Sequence, residues 1–170
     1  MRMPYILMAC VLFSCSGDQH EVTPTASTNQ GQLLFLGGDH VKAIEVLKRE
    51  VADSASGVVP HRFLGRALLS TGQYEAALGA LSSSIETYPK DAELFDIIGA
   101  VHMTRAFAKA HYSDTDLALQ SFNRALKLDP RRASTLYNLG LLYSYRDSLQ
   151  QALTYYGLAI DADSTLAPAH

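Results

Sequence analysis

The chain of 170 residues contains no tryptophan and only two cysteines. Both cysteines, Cys10 and Cys15, lie in the first fifteen residues, so the remainder supports neither a disulfide framework nor a CxxC centre. Charged side chains make up 18% of the residues, with a net charge of -3 and no basic run or stripe, which removes nucleic acid as a partner. No apolar run is long enough for the spanning helix of an integral membrane protein. HExxH, P-loop, GxSxG and paired-cysteine patterns are all missing. Six histidines, at positions 20, 40, 61, 102, 111 and 170, are scattered. His111 with Asp114 and Asp116 offers a weak metal site. A solvated turn with Ser113 or Asp114 as helix N-cap is the favoured reading of that stretch. The chain is therefore expected to be no enzyme, with no catalytic residue, no metal and no cofactor.

What is present begins with "MRMPYILMACVLFSC". One early arginine, Arg2, precedes an apolar stretch from Pro4 to Phe13, then small residues and a cysteine. That is the layout of a secretory signal. The ending "LFSC" resembles a bacterial lipobox, in which cleavage precedes a cysteine that then carries lipid. Leu12 and Ser14 fit, while Phe13 is bulkier than usual. "LMAC", ending at Cys10, would leave too short an apolar segment, so Cys15 is preferred, and an ordinary signal with an incidental cysteine is the alternative. Residues 1–14 are thus expected to be a lipoprotein signal peptide. Ser16 in place of aspartate, by resemblance to Gram-negative lipoproteins, implies the outer membrane rather than the inner. Acyl chains at Cys15 would anchor the protein to the membrane, facing the periplasm, without spanning it. Residues 15–27, rich in Ser and Thr, read as a flexible tether.

Beyond the tether the sequence repeats. Glycine precedes alanine by 12 residues in Gly31–Ala43, Gly65–Ala77 and Gly140–Ala152, and by 19 in Gly99–Ala118. Units at 24–57, 58–91, 92–132 and 133–166 follow, the first degenerate and the third seven residues longer than the others. A period of 34 points to a helix–turn–helix solenoid. The glycines cost about 1 kcal/mol each in a helix, which close backbone approach would explain, with the alanines as small partners.

The motifs then agree with a known family. "LYNLGLLYSYRDSLQQALTYYGLAI" carries Leu136, Leu139, Gly140, Tyr143, Ala152, Tyr156 and Ala159. "LGRALLSTGQYEAALGALSSSIETYP" carries Leu64, Gly65, Tyr74, Ala77, Leu81 and Pro89. "SFNRALKLDP" adds Phe122, Ala125 and Pro130. These spacings resemble the tetratricopeptide repeat (TPR) over residues 28–166. The resemblance implies an all-α right-handed superhelix of about three to four repeats, whose first helices line a groove for a partner protein or peptide. By family position the groove would present Arg62, Arg66 and Leu69 in the second unit. Asp96, Ala100 and Met103 follow in the third, and Tyr137, Leu141, Ser144 and Tyr145 in the fourth. The Lys and Asn pairs of chaperone-binding TPRs are not among them. The implied ligand is a segment with an acidic portion and an apolar anchor. The competing reading of Tyr137 and Tyr145 is plain packing.

Two irregularities remain. Residues 167–170 read as a tail or the opening of a further helix, leaving Leu153, Tyr156, Leu158 and Ile160 uncovered unless a partner, a second copy or more chain covers them. The stretch 105–112, "RAFAKAHY", has helix-forming composition, and seven residues make nearly two turns. A lengthened first helix is expected, with a loop as the alternative. The function implied is a non-catalytic interaction scaffold at the outer membrane. The alternative is an accessory subunit or regulator of a periplasmic enzyme or of a secretin or pilus machine.

Overall fold

A computed structural model describes residues 30–53, 56–109 and 113–163. The signal peptide, Cys15, the tether, His111 and the tail at 167–170 lie outside the described residues. Every regular element among those described is an α-helix. The helices are α1 (Gln30–Leu36), α2 (His40–Ala52), α3 (Val59–Ser70), α4 (Tyr74–Thr87), α5 (Ala92–Lys109), α6 (Ser113–Leu128), α7 (Ala133–Tyr145) and α8 (Leu149–Ala162). They pack as four antiparallel hairpins, α1–α2, α3–α4, α5–α6 and α7–α8, in the all-α solenoid expected from the sequence.

Three of the hairpins turn by the same chemistry. Gly38, Gly72 and Asp147, which occupy one repeat position, have φ of 85°, 72° and 56°. The residue after each donates its N–H to a carbonyl five back: Asp39 to Leu34 at 3.0 Å, Gln73 to Leu68 at 2.9 Å, Ser148 to Tyr143 at 2.9 Å. A left-handed residue closes the helix and re-aims the chain in each case, and Asp is a tolerated substitute for Gly there.

First helices form one layer, because α1 touches α3, α3 touches α5, and α5 touches α7. Successive second helices make no comparably extensive contact. The layer whose neighbours approach more closely is the inner, concave one. Each of α2, α4 and α6 is wedged between its own first helix and that of the next unit.

The glycines were expected to meet the alanines, but the side chains nearest to them are larger ones one turn further on. A Cβ on Gly65 would stand 2.6 Å from Leu81, one on Gly99 2.5 Å from the ring of Phe122, and one on Gly140 2.5 Å from the ring of Tyr156. The small residue makes a socket for a large one. Ala43, Ala77, Ala118 and Ala152 are buried beside these sockets.

Against the regular α7–α8 hairpin, α5 has 18 residues to the 13 of α7, and α6 has 16 to the 14 of α8. Among the described residues, α5 is thus five residues longer than its equivalent and α6 two residues longer. The expectation of a longer first helix is met in part, since the second helix shares the extension. Despite this unequal lengthening, Gly99 faces Phe122 as Gly140 faces Tyr156. The core continues through α5, which gives Leu94, Ile97 and Val101 to the N-terminal cluster and Met103 to the C-terminal one.

Candidate interaction surfaces

The inner layer gathers arginines and carboxylates from three helices. Asp91 accepts from the Leu94 N–H at 3.0 Å and so caps α5. It also pairs with Arg62, whose Nε donates to Asp91 Oδ1 at 3.2 Å. Glu93, in the first turn of α5, receives Arg62 at 3.1 Å, Arg66 at 2.7 Å and Arg132 at 3.3 Å. Asp96 is buried, accepting from Thr135 Oγ1 at 2.8 Å and Ser134 Oγ at 2.9 Å, with Arg132 Nε at 3.6 Å. Three arginines therefore face three carboxylates. The arrangement ties α3 to α5 and α5 to α7, and its net field is small. Arg62 and Arg66 are consequently occupied, and an acidic ligand at that end would have to displace Glu93 and Asp91.

The other groove positions divide by burial. Met103 is buried, and Leu69 and Leu141 are half-buried against the two core clusters. Ala100 is partly exposed. Ser144 Oγ lies 3.3 Å from the Tyr156 hydroxyl. Tyr145 packs on Phe107, with ring centroids 4.3 Å apart. Tyr137 is 52% exposed, and one side of its ring leans on Tyr156 at 5.6 Å. The structure therefore brings Arg62, Arg66 and Asp96 into one polar cluster and Met103 and Leu141 into one apolar cluster. Among the groove positions expected from the sequence, Tyr137 is left as the most exposed large side chain.

Glu93, Arg132 and Thr135 were not singled out from the sequence. One signal for them was present: Arg132 occupies the repeat position that Asp91 holds one unit earlier. A charge reversal at equivalent positions of adjacent units suits ion pairing across their junction.

Inside the long hairpin a second polar group is buried. Arg105 grips Asp114 in bidentate fashion, Nε to Oδ2 at 2.7 Å and Nη2 to Oδ1 at 2.5 Å. These are the first and last of the added residues. Arg105 also reaches Glu75 of the preceding unit at 3.7 Å, and Asp116 meets Arg146 of the following one at 3.1 Å. Both carboxylates once weighed as metal ligands are thus held by arginine. Hydrogen bonding from Arg105 holds the Asp114 carboxyl below its ordinary range, against the opposing effect of burial. His102 is buried and has Nδ1 at 3.5 Å from Asp114 without a hydrogen bond. Burial pushes its pKa down, ahead of the opposing pull of Asp114.

A serine–histidine contact also appears, with His61 Nδ1 at 2.7 Å from Ser84 Oγ. Ser84 is buried and its hydroxyl donates to the Ala80 carbonyl at 2.7 Å. Its proton is spent on the helix backbone, so the contact is a packing device between α3 and α4.

Comparison with known proteins agrees with this architecture. Residues 113–167 match the tetratricopeptide repeat family. Protein CTR9 homolog of Arabidopsis thaliana is 29% identical over 161 residues, 88% of this chain and 14% of that protein. The chain thus spans only a small part of the curated relatives it matches. Among solved structures, the thermophilic TPR protein TTC0263 of Thermus thermophilus superposes with a TM-score of 0.70 at 17% identity, covering 78% of this chain and 71% of that one. YrrB, described as a TPR protein with an unusual peptide-binding site, superposes with a TM-score of 0.61 at 23% identity, covering 80% and 68%. The fold is that of a TPR solenoid.

Proposed function

We propose that this chain is a non-catalytic scaffold for protein–protein interaction, taking a partner segment along its inner layer. We propose further that lipid on Cys15 holds it at the outer membrane, facing the periplasm. The observation that carries the first part is the continuity of the inner layer. Arg66, Ala100 and Leu141 hold one position in three successive units, are all partly exposed, and lie on helices that touch in order. Such a row is what an extended or helical segment can follow. The peptide-binding site named for YrrB supports the same use. With Arg62 and Arg66 neutralised by Glu93 and Asp91, the anchor of the ligand is assigned to Tyr137 and Leu141, since a half-exposed tyrosine contributes large contact area at small entropic cost.

Crosslinking and pull-down from native membranes tests both parts. Tyr137→Ser is expected to lose the captured partner while its circular dichroism melt is unchanged, and equal recovery would refute the groove. In the same cells Cys15→Ser is expected to lose label from an alkyne fatty acid and to leave the membrane fraction.

Self-association through the C-terminal end is a second reading, favoured by the outer face of α8. Ile44, Leu78 and Leu119 occupy one repeat position and are buried or half-buried, whereas their equivalent Leu153 is 67% exposed. Leu149 is 68% and Ile160 53% exposed on the same helix. A second copy meeting this face would dimerise the protein, and Leu153→Glu would return it to monomer in sedimentation equilibrium. A wild-type protein monomeric at high micromolar concentration would exclude it.

A further inference from the structure

On the opposite side of the solenoid from the inner layer, α4 and α6 stand apart over α5 and enclose an open groove of about 800 Å³. Its floor is apolar, made by Ile85 of α4 and by Phe95 and Ile98 of α5. Its α6 wall carries Gln120, Asn123, Arg124 and Lys127. These four follow helical spacing along one face and extend over about 10 Å at 1.5 Å per residue. No carboxylate lines the groove.

The charge distribution distinguishes this groove from the inner layer. There the three arginines are held by Asp91, Glu93 and Asp96. Arg124 and Lys127, by contrast, are exposed and make no ion pair among the described residues. Arg124 rests with its guanidinium 5.0 Å from the Phe95 ring centroid, so the cation lies over the apolar floor at the α6 wall. Two unpaired cations, two side-chain amides and an apolar trough recur along one line.

We infer that this outer groove binds an acidic, apolar-anchored polypeptide segment of a partner protein, as a second surface separate from the inner layer. Aliphatic or aromatic side chains of the segment would enter the trough over Ile98. Its carboxylates would meet Arg124 and Lys127, and its backbone would meet the amides of Gln120 and Asn123. A fatty acid requires one cation at the mouth of a closed apolar tunnel. An open trough with a polar wall along its length suits a peptide chain better. The acidic portion of a ligand, expected from the sequence at Arg62 and Arg66, is thereby reassigned to the outer face.

Fluorescence anisotropy with a labelled nonapeptide of alternating Asp and Leu tests this. The wild-type chain is expected to bind it, and the Arg124→Glu/Lys127→Glu variant to bind it at least about tenfold more weakly with an unchanged thermal melt. The same variant is expected to gain affinity for the nonapeptide in which Lys replaces Asp. Tyr137→Ser is expected to have no effect on either probe, which separates this groove from the inner layer. The inference is overturned if the wild-type chain does not bind the Asp–Leu peptide, if the charge reversal leaves binding unaltered, or if Tyr137→Ser abolishes it. Binding of oleate without binding of the peptide overturns it as well.

Discussion

Replacing Asp114 with alanine is expected to cost about 3–5 kcal/mol, the range for removing one partner of a buried ion pair. The carboxyl is 4% exposed and takes two hydrogen bonds from Arg105, itself 19% exposed. Without Asp114, the guanidinium keeps, among the described residues, only the long contact to Glu75. Against a typical total of about 5–15 kcal/mol this loss is large. In a solenoid it falls mostly on the unit that contains it and on that unit's junctions. Urea unfolding followed by circular dichroism measures it, and the C-terminal hairpins should unfold apart from the first two. The double variant Arg105→Met/Asp114→Leu should recover much of the loss, because it leaves no buried charge unmatched. If Asp114→Ala costs no more than an exposed pair, about 1 kcal/mol or less, the pair is not a clamp.

The pH dependence follows from the same contact. Asp114 titrates lower in the folded chain than in the unfolded one, so the folded state holds fewer protons in that interval. Its stabilising effect is full above the ordinary carboxylate range near pH 4 and is lost as pH falls through the folded value. The Arg105→Met/Asp114→Leu variant should lack this share of the acid sensitivity in melts between pH 5 and pH 3.

Phe122→Ala is expected to destabilise by about 3–5 kcal/mol, since a fully buried ring leaves a cavity that its surroundings fill only in part. The neighbouring glycine gives the test a sharper form. Gly99→Ala alone would drive a methyl to 2.5 Å from two ring carbons of Phe122. Such overpacking costs about 1–3 kcal/mol and outweighs the roughly 1 kcal/mol that alanine gains over glycine in a helix. In the Phe122→Ala background the obstacle is gone. Gly99→Ala should then be neutral or stabilising, reversing its sign. A double-mutant cycle by urea denaturation reads this coupling directly. Additive effects would mean that the glycine is not a socket for the ring.

The residues that made the repeat legible are those whose role is local to one hairpin. In the three regular hairpins glycine, the large side chain sixteen positions on and the left-handed turn recur because each must satisfy the same packing and the same chain reversal. The seven added residues leave Gly99 facing Phe122, although they lengthen two helices by unequal amounts. Their division between α5 and α6 was not legible. Helical composition in "RAFAKAHY" is compatible with either arm, and the pairing of Arg105 with Asp114 depends on both arms being built. The same holds for the groove. Family position selected Arg62 and Arg66 as free cations, but Asp91, Glu93 and Arg132 come from other units, and only their arrival side by side neutralises the inner layer.

By itself, the sequence determined an all-α TPR solenoid and its hairpin period, because these rest on contacts at fixed short spacing, whereas the side chain that fills each glycine socket came only with the structure. The tertiary structure alone decided which charges are spent and which are available. Ion pairs across unit junctions join residues about thirty to forty positions apart, and no periodic pattern within one unit records them. That difference moves the open cations from the inner layer to Arg124 and Lys127 on the outer one.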